Sequence, residues 1–121
     1  MMGVSVVGIG LNVNQMCFRD WPTHPISLKM ITGMEYDLDT LLKQVAGSVA
    51  KEAERLKTDT TAIEADYLRR LFRYHTWAEY EVDGKVLRLF MTGIDPFGRL
   101  LLVDEADQSY CFDVKEIKYI I

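Results

Sequence analysis

The spacing of apolar and polar positions changes period twice along the chain. Over Val4–Gln15, VSVVGIGLNVNQ, every second position repeats. Val7, Ile9, Leu11 and Val13 fall on one face of an extended chain, and Gly8, Gly10, Asn12 and Asn14 fall on the other. The spacing predicts a strand with one ordinary core face and one face of bare backbone ending in two amides. Glycine inside a strand marks a bulge, tight packing against a helix, or the close approach of a ligand. Taken alone, the strand favours packing. Each asparagine adds a carbonyl acceptor and two N–H donors to the glycine face. The pattern is not the dinucleotide fingerprint GxGxxG, because the third glycine is missing and a loop follows where a helix should open.

That loop, Gln15–Leu28, holds two prolines and no period. Its length suits a binding loop, in which Phe18 and Trp21 serve as a clasp or, more commonly, as anchors. SLKMITG reads as a short helical turn capped by Ser27 and stopped by Gly33. A three- and four-residue period then carries Leu38, Leu41, Leu42, Val45, Val49 and Leu56, which predicts a long amphipathic helix capped by Asp37 or Asp39. A second helix follows, with Thr61 and Glu64 in capping-box spacing and a stripe of Ile63, Tyr67, Leu71 and Tyr74. Arg69, Arg70 and Arg73 read most simply as its solvated face.

From Thr76 the period returns to two. Asp83-Gly84 is a two-residue hairpin signal, and Asp95–Gly98 and Glu105–Gln108 are further turns. Short, evenly spaced strands over some fifty residues fit a small antiparallel barrel of the SH3-like type. The expected organisation is therefore an α+β portion over residues 1–75, one strand plus helices, and an all-β SH3-like barrel over 76–121. No second strand is evident before Tyr74. A lone strand leaves its backbone unpaired on both edges, so its neighbours are expected from another chain, by self-association, or from a preceding part of a larger domain.

The 121 residues suit about one domain. A hydrophobic share of 49% with 26% charged residues is the balance of a soluble globular protein. A net charge of -4 argues against general nucleic-acid binding, which needs a basic face. Cys17, Cys111, His24 and His75 are in no metal-ligand spacing, so no metal site is expected. No apolar run is long enough for a membrane span, and MMGVSVVGIGLNV lacks the basic start and small-residue cleavage site of a signal peptide. Reduced thiols and a cytoplasmic location are the default expectation.

The order VVGIGLNVNQ, a loop with Phe18, SLKMITG, two helices and a small barrel carrying GIDPFGRLLL and ending VKEIKYII resembles the C-terminal portion of bacterial biotin protein ligases, which act on acetyl-CoA carboxylase. The resemblance spans essentially the whole chain. It implies that residues 1–75 are the end of a class II synthetase-like catalytic domain. ATP and biotin are the implied substrates, with Mg expected in the full enzyme. The product biotinyl-AMP would donate biotin to a lysine of the biotin carboxyl carrier protein. By resemblance, Gly8 and Gly10 lie near the biotin side of the adenylate and Asn12 near its phosphates. Trp21 stands where the family carries an aromatic residue on a loop that orders over the adenylate. Glu116, in KEI, matches a charged residue of the barrel that meets nucleotide or carrier protein. Two positions depart from the family pattern: Arg19 replaces a common proline, and Ile120 a basic residue.

The family's Gly/Arg-rich adenylate loop and catalytic lysine precede the GxGxN strand, and nothing in these 121 residues matches either. No catalytic residue is therefore assigned, and the chain alone is expected to be inactive. The rival reading is a non-catalytic adaptor whose barrel docks a protein partner, since such barrels host many functions.

Overall fold

The computed structural model of the protein describes residues 3–19 and 24–121. The chain divides into two compact units, Met1–Glu54 and Arg55–Ile121.

In the first unit, Val4–Val13 is not a strand: none of its residues has a ladder partner among the described residues. Periodicity fixes which side chains share a face but supplies no neighbour to pair with, and a strand needs one. The segment is tied down only near its C-terminal end, where Leu28 N–H donates to Asn12 O (3.0 Å) and Lys29 N–H to Val13 O (2.9 Å). Helix α1, Leu28–Thr32, starts at Ser27, whose hydroxyl accepts from Met30 N–H, and stops at left-handed Gly33 (φ 74°), as the sequence predicts. Helix α2, Leu38–Arg55, is capped by Asp37, whose carboxylate accepts from Thr40 N–H at 2.9 Å. Leu56 lies beyond its last turn. None of its residues is buried, and Leu42 on the apolar stripe is 66% exposed.

The second unit opens with α3, Thr60–Arg70. Its cap is Asp59, which accepts from Ala62 N–H at 3.1 Å, and not the anticipated Thr61–Glu64 box. A carboxylate at the helix N-terminus is the stronger acceptor and also complements the helix dipole. The helix ends earlier than its apolar stripe suggests, because Leu71 is extended and Arg73 (φ 63°) and His75 (φ 52°) are left-handed. Leu71 consequently packs on the sheet, and Tyr74 bridges to Met91.

The sheet has strands β1 (Trp77–Val82), β2 (Lys85–Ile94), β3 (Leu100–Val103), β4 (Ser109–Phe112) and β5 (Lys118–Tyr119). All neighbours are antiparallel, in the order β4-β3-β2-β1-β5. This is an open five-stranded sheet with β4 and β5 at its edges, where the sequence suggested a closed barrel. Asp83 and Gly84 both have positive φ (49° and 72°), so β1 and β2 are joined by the primed turn that matches strand twist. The Asp95 carboxylate accepts from the N–H groups of Phe97 and Arg99, both at 2.9 Å. Asp104 does the same for Ala106 and Gln108, both at 2.9 Å. These aspartates make their turns by imitating backbone acceptors.

Inward-facing Tyr80, Leu89, Met91, Leu100 and Leu102, with Ile117, form the core. Each such apolar side chain contributes about 1.5–3 kcal/mol by leaving water. The Tyr80 hydroxyl is buried with no hydrogen-bond partner among the described residues. Burial, and next the Tyr119 phenol, push its pKa up. Arg73, expected on a solvated face, instead reaches over the sheet. Its guanidinium donates to Glu79 O at 3.0 Å and to Ile120 O, and it lies 5.1, 5.5 and 5.6 Å from the ring centres of Phe72, Tyr80 and Tyr119.

Candidate functional site

The alternation in Val4–Val13 survives without a sheet. Val7, Ile9, Leu11 and Val13 turn toward α2 and, with residues such as Leu41 and Val45, line an apolar trough of about 580 Å³. Gly8 and Gly10 belong to the other parity. A Cβ placed on either meets nothing within 4 Å. The glycines are therefore not required by tight packing against a neighbour, which is what the strand alone favoured. They leave an open strip of backbone.

Asn12 stands at the tied end of that strip. Its side-chain N–H₂ donates to Ile26 O at 3.4 Å, a long bond. Asn14 is engaged more firmly. Its Oδ1 accepts from Tyr36 N–H at 3.0 Å, and its Nδ2 donates to Tyr36 O at 2.8 Å. Ser27, the one buried polar residue among those described, donates to Gln15 O at 2.6 Å. Residues 12–15 are thus knotted to α1 and to the start of α2. Asp37, beside Tyr36, is held below the usual carboxylate range by the Thr40 hydroxyl and then the Thr40 N–H.

The structure brings Gly8, Gly10 and Asn12 onto one side of one segment. Trp21 lies outside the described residues. Glu116 belongs to the second unit, where its carboxylate accepts from Asp113 N–H at 2.7 Å and closes a local turn. Arg19 is exposed. Ile120 contributes backbone: its N–H donates to Glu79 O (3.3 Å) and its carbonyl receives Arg73. Sequence reasoning missed the Asn14–Tyr36 and Ser27–Gln15 bonds. The N-x-N spacing signals a shared face, but no local pattern names partners 22 and 12 residues away.

Gly8, Gly10 and Asn12 supply no nucleophile and no acid–base pair. Among the described residues no group of three or more His, Cys, Asp or Glu is placed to hold a metal ion. No step is assigned to the Mg implied by resemblance. Cys17 and Cys111 are free thiols. Among the described residues no helix is long and apolar enough to cross a membrane.

The chain is similar to the apo structure of a biotin protein ligase from Aquifex aeolicus, with a TM-score of 0.68 and 15% sequence identity over 90% of this chain. The match takes in 49% of that ligase, so the chain spans about half the length of the structure it resembles. At this identity the likeness is one of fold. No protein-family model and no curated protein matches the sequence.

Proposed function

We propose that the chain is the C-terminal portion of a cytoplasmic biotin protein ligase. The complete enzyme would activate biotin with ATP to biotinyl-AMP and pass biotin to a lysine of the biotin carboxyl carrier protein. In this reading residues 1–75 are the end of the catalytic domain, and residues 76–121 are its SH3-like barrel. The return of β5 to pair with β1 fits the strand order of that assignment, while the sheet stays open between β4 and β5. The observation that carries the reading is the open strip, which lets a flat ligand lie against backbone at Gly8 and Gly10 and meet an amide at Asn12. The fold likeness to a biotin protein ligase adds to it. Glu116, on the second unit, would serve nucleotide or carrier-protein contact, and Trp21 would cover the adenylate.

The test is calorimetric titration of the 121-residue chain with a non-hydrolysable biotinyl-AMP analogue. Binding should be measurable in wild type and lost in Gly10→Val, whose Cβ enters the strip with no atom of the described residues within 4 Å. Asn12→Ala should weaken binding about five- to 150-fold, the cost of leaving polar partners unpaired in a desolvated site. A folded Gly10→Val variant that binds like wild type would remove the strip from the reading.

The adaptor reading has one observation in its favour. Phe97 is 84% exposed at the tip of the β2–β3 turn, the kind of aromatic anchor partners use. On that reading Phe97→Ala abolishes docking of the protein partner while no variant, wild type included, binds the adenylate.

A further inference from the structure

Two amides fall on the glycine parity of the sequence, and the structure gives them different work: Asn12 reaches Ile26 O and Asn14 reaches Tyr36. We propose that Asn14 is a positioning residue, which holds the tied end of the segment so that Gly8, Gly10 and Asn12 present one open side. The inference rests on the ligand reading of that side.

Both halves of the Asn14 carboxamide bond to both backbone groups of one residue, Tyr36, at 3.0 and 2.8 Å. This is the two-bond exchange of an antiparallel strand pair, made by a side chain. Aspartate lacks the donor half, and glutamine is one methylene too long for the same closure. Tyr36 is itself anchored. Its hydroxyl donates to Thr32 Oγ1 at 3.0 Å, and Asp37, which caps α2, follows it directly. The clamp therefore fixes the segment to the start of α2 at Asn14, while Leu28 and Lys29 fix it to α1 through the carbonyls of Asn12 and Val13. Asn12 is the first of these fixed residues. Its own carboxamide makes one long bond, and its Oδ1 has no partner among the described residues. Asn14 has both ends of its carboxamide committed to protein, and Asn12 keeps its Oδ1 for a ligand. Among the described residues, 3–11 make no backbone hydrogen bond, so apart from the turn of Val7, Ile9 and Leu11 toward α2 the orientation of the glycine strip is set from this end.

A double-mutant cycle tests the proposal. The 121-residue chain and its Asn12→Ala, Asn14→Ala and doubly substituted variants are titrated with the non-hydrolysable biotinyl-AMP analogue, and exchange of the Tyr36 amide is followed by NMR. Asn14→Ala should weaken binding about tenfold and accelerate Tyr36 exchange about tenfold. Asn12→Ala should weaken binding with Tyr36 exchange unchanged. If Asn14 acts through Asn12, the double variant binds no more weakly than the worse single one. Asn14→Asp, which keeps the acceptor for Tyr36 N–H, should stay folded and lose binding only partly, which keeps the test open if the alanine variant unfolds. Wild-type affinity in Asn14→Ala, or losses that simply add in the double variant, would overturn the positioning role while the ligand reading stands. A wild-type chain that binds no analogue would remove the ligand reading itself, and the proposal with it.

Discussion

Arg73 gives the sharpest quantitative expectation. Replacing it with alanine removes two bonds from a charged donor, to Glu79 O and Ile120 O, and the cation above Phe72, Tyr80 and Tyr119. The site is half-exposed, so each bond is taken at about 1 kcal/mol and the cation–ring contacts together at about 0.5–1 kcal/mol. The expected loss is about 2–4 kcal/mol, once the apolar stem is included. The backbone adds a second, separable effect. Arg73 has φ 63°, a conformation that costs an L-residue about 1–2 kcal/mol and glycine almost nothing. Arg73→Gly loses the same contacts as Arg73→Ala but is released from that cost, so it should be the more stable of the two by about 1 kcal/mol. Arg73→Lys keeps the charge without the planar fork and should lie between wild type and glycine. The assay is urea unfolding followed by Trp77 fluorescence in a Trp21→Phe background, where the β1 indole is the sole reporter. Arg73→Ala within about 0.5 kcal/mol of wild type would show that the guanidinium contacts contribute nothing. Glycine falling below alanine would show that the backbone argument is wrong.

Other expectations are shorter to state. Tyr80→Phe removes a buried hydroxyl with no partner, so stability should be unchanged or rise by about 1 kcal/mol in the same assay; a loss of that size would mean the hydroxyl is satisfied. Asp104 is held below its ordinary 3.8 chiefly by Gln108 N–H, with help from Ala106 N–H and the Tyr110 hydroxyl. Its contribution is complete above 3.8 and is lost as pH falls through the lower folded value. The urea midpoint should fall between pH 7 and pH 3, and Asp104→Asn should show a smaller fall; equal falls would exclude Asp104 as a source of acid sensitivity. The 121 residues alone should release no pyrophosphate from ATP and biotin, and turnover at about 1 per second, the low end for ordinary enzymes, would contradict this.

The features legible in the sequence are those whose cause is local. Ser27, Gly33 and the Asp83-Gly84 turn carry their reasons within four residues, and each is where the spacing puts it. The shared face of Gly8, Gly10 and Asn12 was also legible, because alternation is a property of an extended chain. What the face adjoins was not. A ladder for Val4–Val13 would need a partner that the pattern does not name. The Thr61–Glu64 box lost to Asp59 because two acceptors competed within one turn, and only geometry chose between them. Arg73 looked like helix surface because its left-handed backbone, which swings it onto the sheet, has no signature in an Arg-rich run. Asn14 was half legible: its face was evident, its partner Tyr36 was not.

The bond from Arg73 to Ile120 spans 47 residues, and this orders events in time. Strands β1 to β4 are linked in sequence by short turns, so their pairings close small loops. Bringing β5 back to β1 closes a far larger one, at an entropic cost of roughly 3 kcal/mol from the logarithm of its length. Two residue pairs, the Arg73 contacts, the Ile120–Glu79 bond, the Lys118–Glu81 ion pair and the Tyr119 ring against Phe72 and Tyr80 repay it once the strand arrives. The hairpins therefore assemble first and β5 docks last, outside the folding nucleus. Kinetically, Tyr119→Ala should speed unfolding and leave refolding nearly untouched, whereas Leu89→Ala should slow refolding. Stopped-flow rates that showed the reverse would place the closing strand at the start of folding instead of its end.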